Sequence, residues 1–155
     1  MIHCLLLVNR QGKIRLMKWY DCFNINERQK YIKEISVMVI GRSNRVSNFI
    51  EWNQYKIIYK RYASLYFILL ADKEDNELIG LELIQHFVEC LDQYYGNVCE
   101  LDIIFSFHKA YYIVEEIFSG GLLQESDRKE IQNILRKQDR MLVEEKEEDY
   151  SGEAK

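Results

Sequence analysis

The 155-residue sequence contains no proline. With that punctuation missing and no internal repeat in sight, nothing marks an interdomain linker, and a single domain is expected. Long apolar runs are also missing. No stretch approaches the roughly 20 apolar residues that span a bilayer. The opening MIHCLLLVNRQGK lacks the basic leader and apolar length of a signal peptide. The four cysteines, Cys4, Cys22, Cys90 and Cys99, form no CxxC pair and show no metal-ligand spacing. Cys4 and Cys90 sit among apolar neighbours, as expected of small core residues in a reducing compartment. An excess of base is missing too: the formal net charge is -4, which argues against a nucleic-acid partner. The sign is set largely by the acidic end, EEKEEDYSGEAK, and the body before it is close to neutral. With 48% hydrophobic and 30% charged residues, most of the chain has the means to fold. The expectation is a soluble intracellular domain.

What is present reads as short strands followed by helices. IHCLLLVN is a continuous apolar run, the pattern of a strand covered on both faces. NRQGK follows as a turn at Gly12, and KIRLMKWY resumes with Ile14 and Leu16 on one face and Arg15 on the other, predicting a β-hairpin. The next segment offers Asn24 or Asn26 as an N-cap, a helical pattern through Tyr31, Ile35 and Met38, and a stop at Gly41. VSNFIEW, YKIIYK and ASLYFILLAD read as three further strands, rich in aromatic and β-branched residues. Three helices are predicted after them. One runs from Asp75 or Asn76 to about Tyr95, ended by Gly96, and one from Asn97 to Gly120–Gly121. The third runs from Ser126–Asp127 to about Leu142. The order β-β-α-β-β-β-α-α-α, with tight turns between successive strands, implies an α+β fold with an antiparallel sheet packed by helices. The last dozen residues, charged and poor in apolar content, are expected to be disordered.

The stretch YYGNVCELDIIFSF, residues 94–107, sets a cysteine and two carboxylates in an apolar run. Asn97 followed by Glu100 fits a capping box, and Asp102 lies near the positive end of the helix dipole. Capping accounts for both acids without chemistry. Cys99 has no local base, since His108 is nine residues on and well around the helix. The favoured reading is a packing cysteine, with a redox or nucleophilic role as the alternative.

More informative is how much of the two helices is apolar. Leu101, Ile104, Phe105 and Tyr112 form one side of the later helix, and Ile103, Phe107, Ala110 and Val114 much of the other. The helix before it repeats the design, with only Glu82, His86, Glu89 and Gln93 in its polar stripe. A surface helix of a small domain needs only one apolar face. Either the two helices bury each other, or part of this surface meets a partner chain or an apolar peptide.

Lys13, Arg15, Lys18, Arg42, Arg45, Lys56, Lys60 and Arg61 form a basic set in the first half. Solvated strand edges are the plainer explanation; an anion site for a carboxylate, phosphate or acidic peptide is the other. RQGKIR lacks the spacing and second glycine of a phosphate-binding loop. His3, His86 and His108 share no face that suggests a metal. No cofactor, metal or catalytic constellation is expected.

The segments NRQGKIRLMKWY, YKIIYKRYASLYF and DNELIGLELIQHFVECLDQYYGNVCELDIIFSF, with Gly120–Gly121, resemble the small sigma chain of the clathrin adaptor complexes. The resemblance runs without obvious gaps from Met1 to about Ile117 and more loosely to about Leu142. It looks most like the sigma chain of the trans-Golgi and endosomal complex, with the plasma-membrane version as runner-up. Another longin module, such as a coatomer small chain, is the competing class. A membrane-fusion longin would need a following heptad helix and an anchor. An enzyme is a distant alternative.

The resemblance implies a longin-like domain over 1–142, a five-stranded antiparallel sheet flanked by helices, with an acidic tail over 143–155. It implies a non-catalytic, cytoplasmic subunit held mainly against a large adaptin chain, beside a second large chain and a medium chain. Such a complex sorts transmembrane cargo into coated vesicles and meets clathrin and the membrane only indirectly. The family binds acidic dileucine signals, an acid a few residues before a Leu-Leu or Leu-Ile pair. Carried over by position, Ala63, Leu65, Val88, Val98 and Ile103 would line the leucine pockets. Asn97 would help hold the peptide, and Arg15 would face its acid together with a basic residue of the large chain.

Overall fold

β1 (Ile2–Asn9) is buried at every position because its side chains feed two separate cores. In the computed structural model, which describes residues 2–42 and 47–118, β1 lies inside a five-stranded sheet. The other strands are β2 (Ile14–Trp19), β3 (Phe49–Trp52), β4 (Tyr55–Tyr62) and β5 (Leu65–Asp72), in the order β2-β1-β5-β4-β3 with every neighbouring pair antiparallel. The α+β fold and five-stranded antiparallel sheet expected from the sequence are therefore present. Strand side chains point to opposite faces in turn. Leu5 and Leu7 accordingly join Leu16, Phe67 and Leu69 in one core, while Cys4, Leu6 and Val8 join Ile68 and Leu70 in the other. Burial raises the Cys4 thiol pKa well above its ordinary value, so this residue is inert packing, as its apolar neighbours predict.

The second core is closed by α1 (Ile25–Ile40) through Ile35 and Val39. Asn24, one of the two expected caps, starts this helix. Its Oδ1 accepts from the Glu27 N–H at 2.8 Å, and the Glu27 carboxylate reaches back to the Asn24 N–H at 3.4 Å. Asn24→Ala removes one side of that box and is expected to cost about 1 kcal/mol, a fall in melting temperature of about 3 °C. A thermal melt by circular dichroism checks it; an unchanged midpoint would assign the helix start to α1 packing alone.

The first core is closed by α2 (Glu77–Tyr95), α3 (Glu100–Phe105) and α4 (Phe107–Ile117). Asn76 caps α2 by accepting from the Leu78 N–H at 2.9 Å, and Gly96 ends it in a left-handed conformation, φ 68°. The helix lies so close to β4 that a Cβ on Gly80 would stand 2.4 Å from Ile58 Cδ1. Lys56, buried on β4, clamps the start of the same helix. Its Nζ donates to Glu77 Oε1 at 2.8 Å and to the Asp75 carbonyl at 2.9 Å. That hydrogen bond draws the Glu77 carboxyl below its ordinary pKa. Lys56 is therefore a structural clamp and leaves the basic set suggested by the sequence.

Three expectations change in the second half. The helix predicted from Asn97 is two helices. Ser106, at φ -130° and ψ 43°, leaves the helical conformation, and its carbonyl accepts from the Tyr95 hydroxyl at 2.8 Å. The box expected at Asn97 and Glu100 lies two residues later, where Asp102 Oδ2 accepts from the Cys99 N–H at 2.9 Å. Asn97 is itself left-handed, φ 66°, so the chain after Gly96 needs one more residue before it can enter a helix. Cys99 is exposed at the start of α3 rather than packed. The helix expected over 126–142, the Gly120–Gly121 stop, Arg45 and the tail lie outside the described residues.

Candidate functional site

One end of the sheet gathers the turn between β4 and β5, the connection from α2 to α3, and the middle of β2. Tyr62 and Leu65 pair across a two-residue turn, Ala63–Ser64. Ala63 is exposed there at φ 54°, a left-handed conformation uncommon for a residue with a side chain. Asp92, near the end of α2, ties that turn to the next connection. Its Oδ2 accepts from the Tyr62 hydroxyl at 2.5 Å and its Oδ1 from the Val98 N–H at 2.8 Å. The Asp92 carbonyl also accepts from the Gly96 and Asn97 N–H groups, at 2.8 Å and 3.3 Å. The hydrogen bond to Asp92 raises the Tyr62 pKa. Sequence reasoning passed over Asp92. The signal that could have found it is a carboxylate one turn before a helix-ending glycine, within reach of the N–H groups of the connection that follows the helix.

Of the seven residues singled out for peptide binding, four share one apolar cluster: Leu65, Val88, Val98 and Ile103. All four are closed to solvent here, Ile103 completely and Val88 with 1% exposed. Ala63 and Asn97 are exposed at the margin of that cluster, joined through the Tyr62–Asp92–Val98 bridge. Arg15 stands on β2 at the opening of α3. Its Nε donates to Glu100 Oε1 at 2.6 Å, and Asn9 Nδ2 donates to the same oxygen at 3.0 Å. These bonds, Arg15 first, hold the Glu100 carboxyl below its ordinary pKa. Glu100 therefore does not reach back to Asn97, as the capping reading expected, but crosses to another element.

Beside this pair lies a cavity of about 270 Å³ lined by Asn9, Arg10, Gln11, Arg15, Ser64 and Glu100. It is polar and open, with two guanidinium groups and one carboxylate among its walls. Chemically the end of the sheet combines a cationic, hydrogen-bonding cavity with a dense apolar cluster bordered by an exposed turn. That pairing suits a ligand with one acid and neighbouring apolar side chains. Among the described residues no group of His, Cys, Asp and Glu could hold a metal ion. His3 is engaged by Asp21 and, at 2.5 Å, by Asp72 Oδ1.

The apolar arcs of the helices divide between the two explanations. From Leu83 onward α2 is largely buried against the sheet and α4. On α3 and the start of α4, however, Leu101, Ile104, Phe105 and Phe107 remain exposed, Phe105 by 79%. Four large apolar side chains exposed within residues 101–107 are more than a solvated helix face requires. No helix of the described residues is long and apolar enough to cross a membrane.

Comparison with known proteins places these features. The family model described as clathrin adaptor complex small chain matches residues 1–142. The chain is 56% identical over 140 residues to the AP-1 complex subunit sigma-2 of Dictyostelium discoideum, covering 90% of this chain and 91% of that protein. It is 54% identical over 148 residues to the AP-1 complex subunit sigma-2 of Arabidopsis thaliana, covering 96% and 91%. Against the human AP-1 complex subunit sigma-3 it is 51% identical over 129 residues, covering 83% and 84%. Among structures, a chain of a homology model of the full-length AP-3 complex, in a stretched open conformation, superposes with a TM-score of 0.73. That chain is 28% identical, and the match covers 96% of this chain and 99% of that one. The fold is thus the longin-like fold of adaptor small subunits.

Proposed function

The chain belongs to the clathrin adaptor complex small chain family, a family of adaptor subunits and not of enzymes, and on that premise we propose that it binds acidic dileucine sorting signals as the sigma subunit of a trans-Golgi and endosomal adaptor. The relatives above carry the AP-1 name, which favours this complex over its plasma-membrane counterpart. In this reading residues 1–142 form the sigma domain and 143–155 a separate acidic tail. The domain is held mainly against a large adaptin chain, with a second large chain and a medium chain completing the complex. The exposed strip on α3 and α4 supplies apolar surface for such neighbours. The protein then works on the cytosolic face of trans-Golgi and endosomal membranes, and reaches clathrin and lipid through the rest of the complex.

One observation carries the cargo reading. Arg15 and Asn9 converge on a carboxylate oxygen beside a cavity whose neighbouring cluster contains Leu65, Val88, Val98 and Ile103. A signal's acid would take the place that a carboxylate already holds, and its two leucines would enter the cluster between Ala63 and Asn97. The cluster is closed in the structure, so binding requires its walls to part.

Arg15→Ser tests the charge role in a complex reassembled with this chain. A peptide with a glutamate a few residues before Leu-Leu should bind about five- to tenfold more weakly, whereas its glutamine counterpart should change little. Fluorescence anisotropy reads both affinities. Equal losses for the two peptides would deny Arg15 the acid. Copurification from cell extract tests the assembly, with an AP-1 large chain expected alongside.

A further inference from the structure

Resting on the dileucine reading above, we propose that Glu100 is a built-in competitor for the signal's acid: its carboxylate occupies Arg15 in the unliganded chain, and a cargo carboxylate must displace it.

The donors that an incoming acid would need are the donors Glu100 already uses. Arg15 Nε and Asn9 Nδ2 both point at Glu100 Oε1, at 2.6 Å and 3.0 Å. Asn9 cannot turn away to leave Arg15 on its own. Its Oδ1 accepts from the Gln11 and Lys13 N–H groups of the β1–β2 turn, each at 2.9 Å, which fixes the amide with Nδ2 facing the cavity. The two-donor cradle is thus preformed, and such preorganisation raises the affinity for any carboxylate that enters.

Glu100 itself is placed for exchange. It is ionised well below neutral pH, held there by Arg15 and Asn9. The side chains of the pair are 26% and 24% exposed, so the contact is partly buried, yet solvent reaches it and screens the attraction. Glu100 is also the only acid among the residues lining the 270 Å³ cavity, facing Arg10 and Arg15. When Glu100 swings out, two guanidinium groups are left without a carboxylate in that lining. A peptide acid restores the balance, whereas a peptide lacking one gains nothing by evicting Glu100. The intramolecular pair therefore lowers affinity for acidic signals toward that of neutral ones, and sets how acidic a signal must be to bind.

The test uses the complex reassembled with this chain and two fluorescein-labelled peptides, one with glutamate before Leu-Leu and one with glutamine in its place. Glu100→Gln should tighten the glutamate peptide about three- to tenfold and leave the glutamine peptide unchanged. In the Arg15→Gln/Glu100→Gln double variant the gain should vanish. Glu100→Ala repeats the test without an amide that could still hold Arg15, and thermal melts confirm that both variants stay folded. The proposal is overturned if the glutamate peptide binds no better, if it binds more weakly because Glu100 orients Arg15, or if both peptides gain equally. A wild-type complex that binds neither peptide would instead overturn the dileucine reading, and this proposal with it.

Discussion

A chain carrying Val88→Asp is expected to lose about 3–5 kcal/mol of unfolding free energy, melting about 10 °C lower or being recovered as aggregate. Val88 is 1% exposed, and Phe87, Cys90 and Leu91 around it on α2 are wholly buried. A carboxylate there would sit among apolar side chains of the sheet, α2 and α4. That cost is a large part of the total stability of an average domain. Urea titration followed by circular dichroism measures it; a midpoint close to that of the wild type would mean that this part of the cluster opens readily to water. The substitution is consequently a poor probe of cargo binding, because an unfolded subunit and a blocked pocket would both bind no peptide.

Ala63→Asp separates the two effects. Ala63 is exposed, lies in a turn, and has a left-handed backbone that aspartate tolerates better than most residues. The fold should therefore be unaffected. At the proposed mouth of the leucine pockets, a fixed negative charge would meet an acidic, apolar peptide. Like charges and a desolvated carboxylate against leucine should weaken binding by about 2 kcal/mol, about thirtyfold. Ala63→Asn keeps the shape without the charge and should lose much less. Isothermal titration of the reassembled complex with a glutamate-bearing dileucine peptide decides it. A folded Ala63→Asp subunit with undiminished affinity would remove Ala63 from the site.

The sheet was legible in the sequence because its signals are local. A run such as IHCLLLVN is satisfied by burial on both faces, and Gly12 and an asparagine cap, at Asn24 rather than Asn26, punctuate the first half. The α2–α3 connection was less legible. Asn97 and Glu100 have the right chemistry for a capping box, but Gly96 and Asn97 are both left-handed, and the helix starts two residues on. At the break, the Ser106 carbonyl is taken up by the Tyr95 hydroxyl eleven residues earlier, a contact that periodicity cannot register.

The proposed site shows the same division. Val98 and Ile103 could be recognised as apolar, and the resemblance supplied a role for them. That they lie buried with Leu65 and Val88 is a tertiary fact. So is the destination of Glu100, which crosses 85 residues of sequence to reach Arg15.

The position of β1 in the sheet has a consequence for how the protein is made. β1 leaves the ribosome before β5, yet it pairs with β5 along nearly its whole length, from Ile2 opposite Ala71 to Asn9 opposite Leu65. Until residues 65–72 emerge, the nascent hairpin of β1 and β2 carries an open, largely apolar strand edge, the kind that recruits other chains. Closing the sheet also means bringing together segments some sixty residues apart, a slow step for a small domain. Translation arrested before Leu65 would leave that edge permanently uncovered.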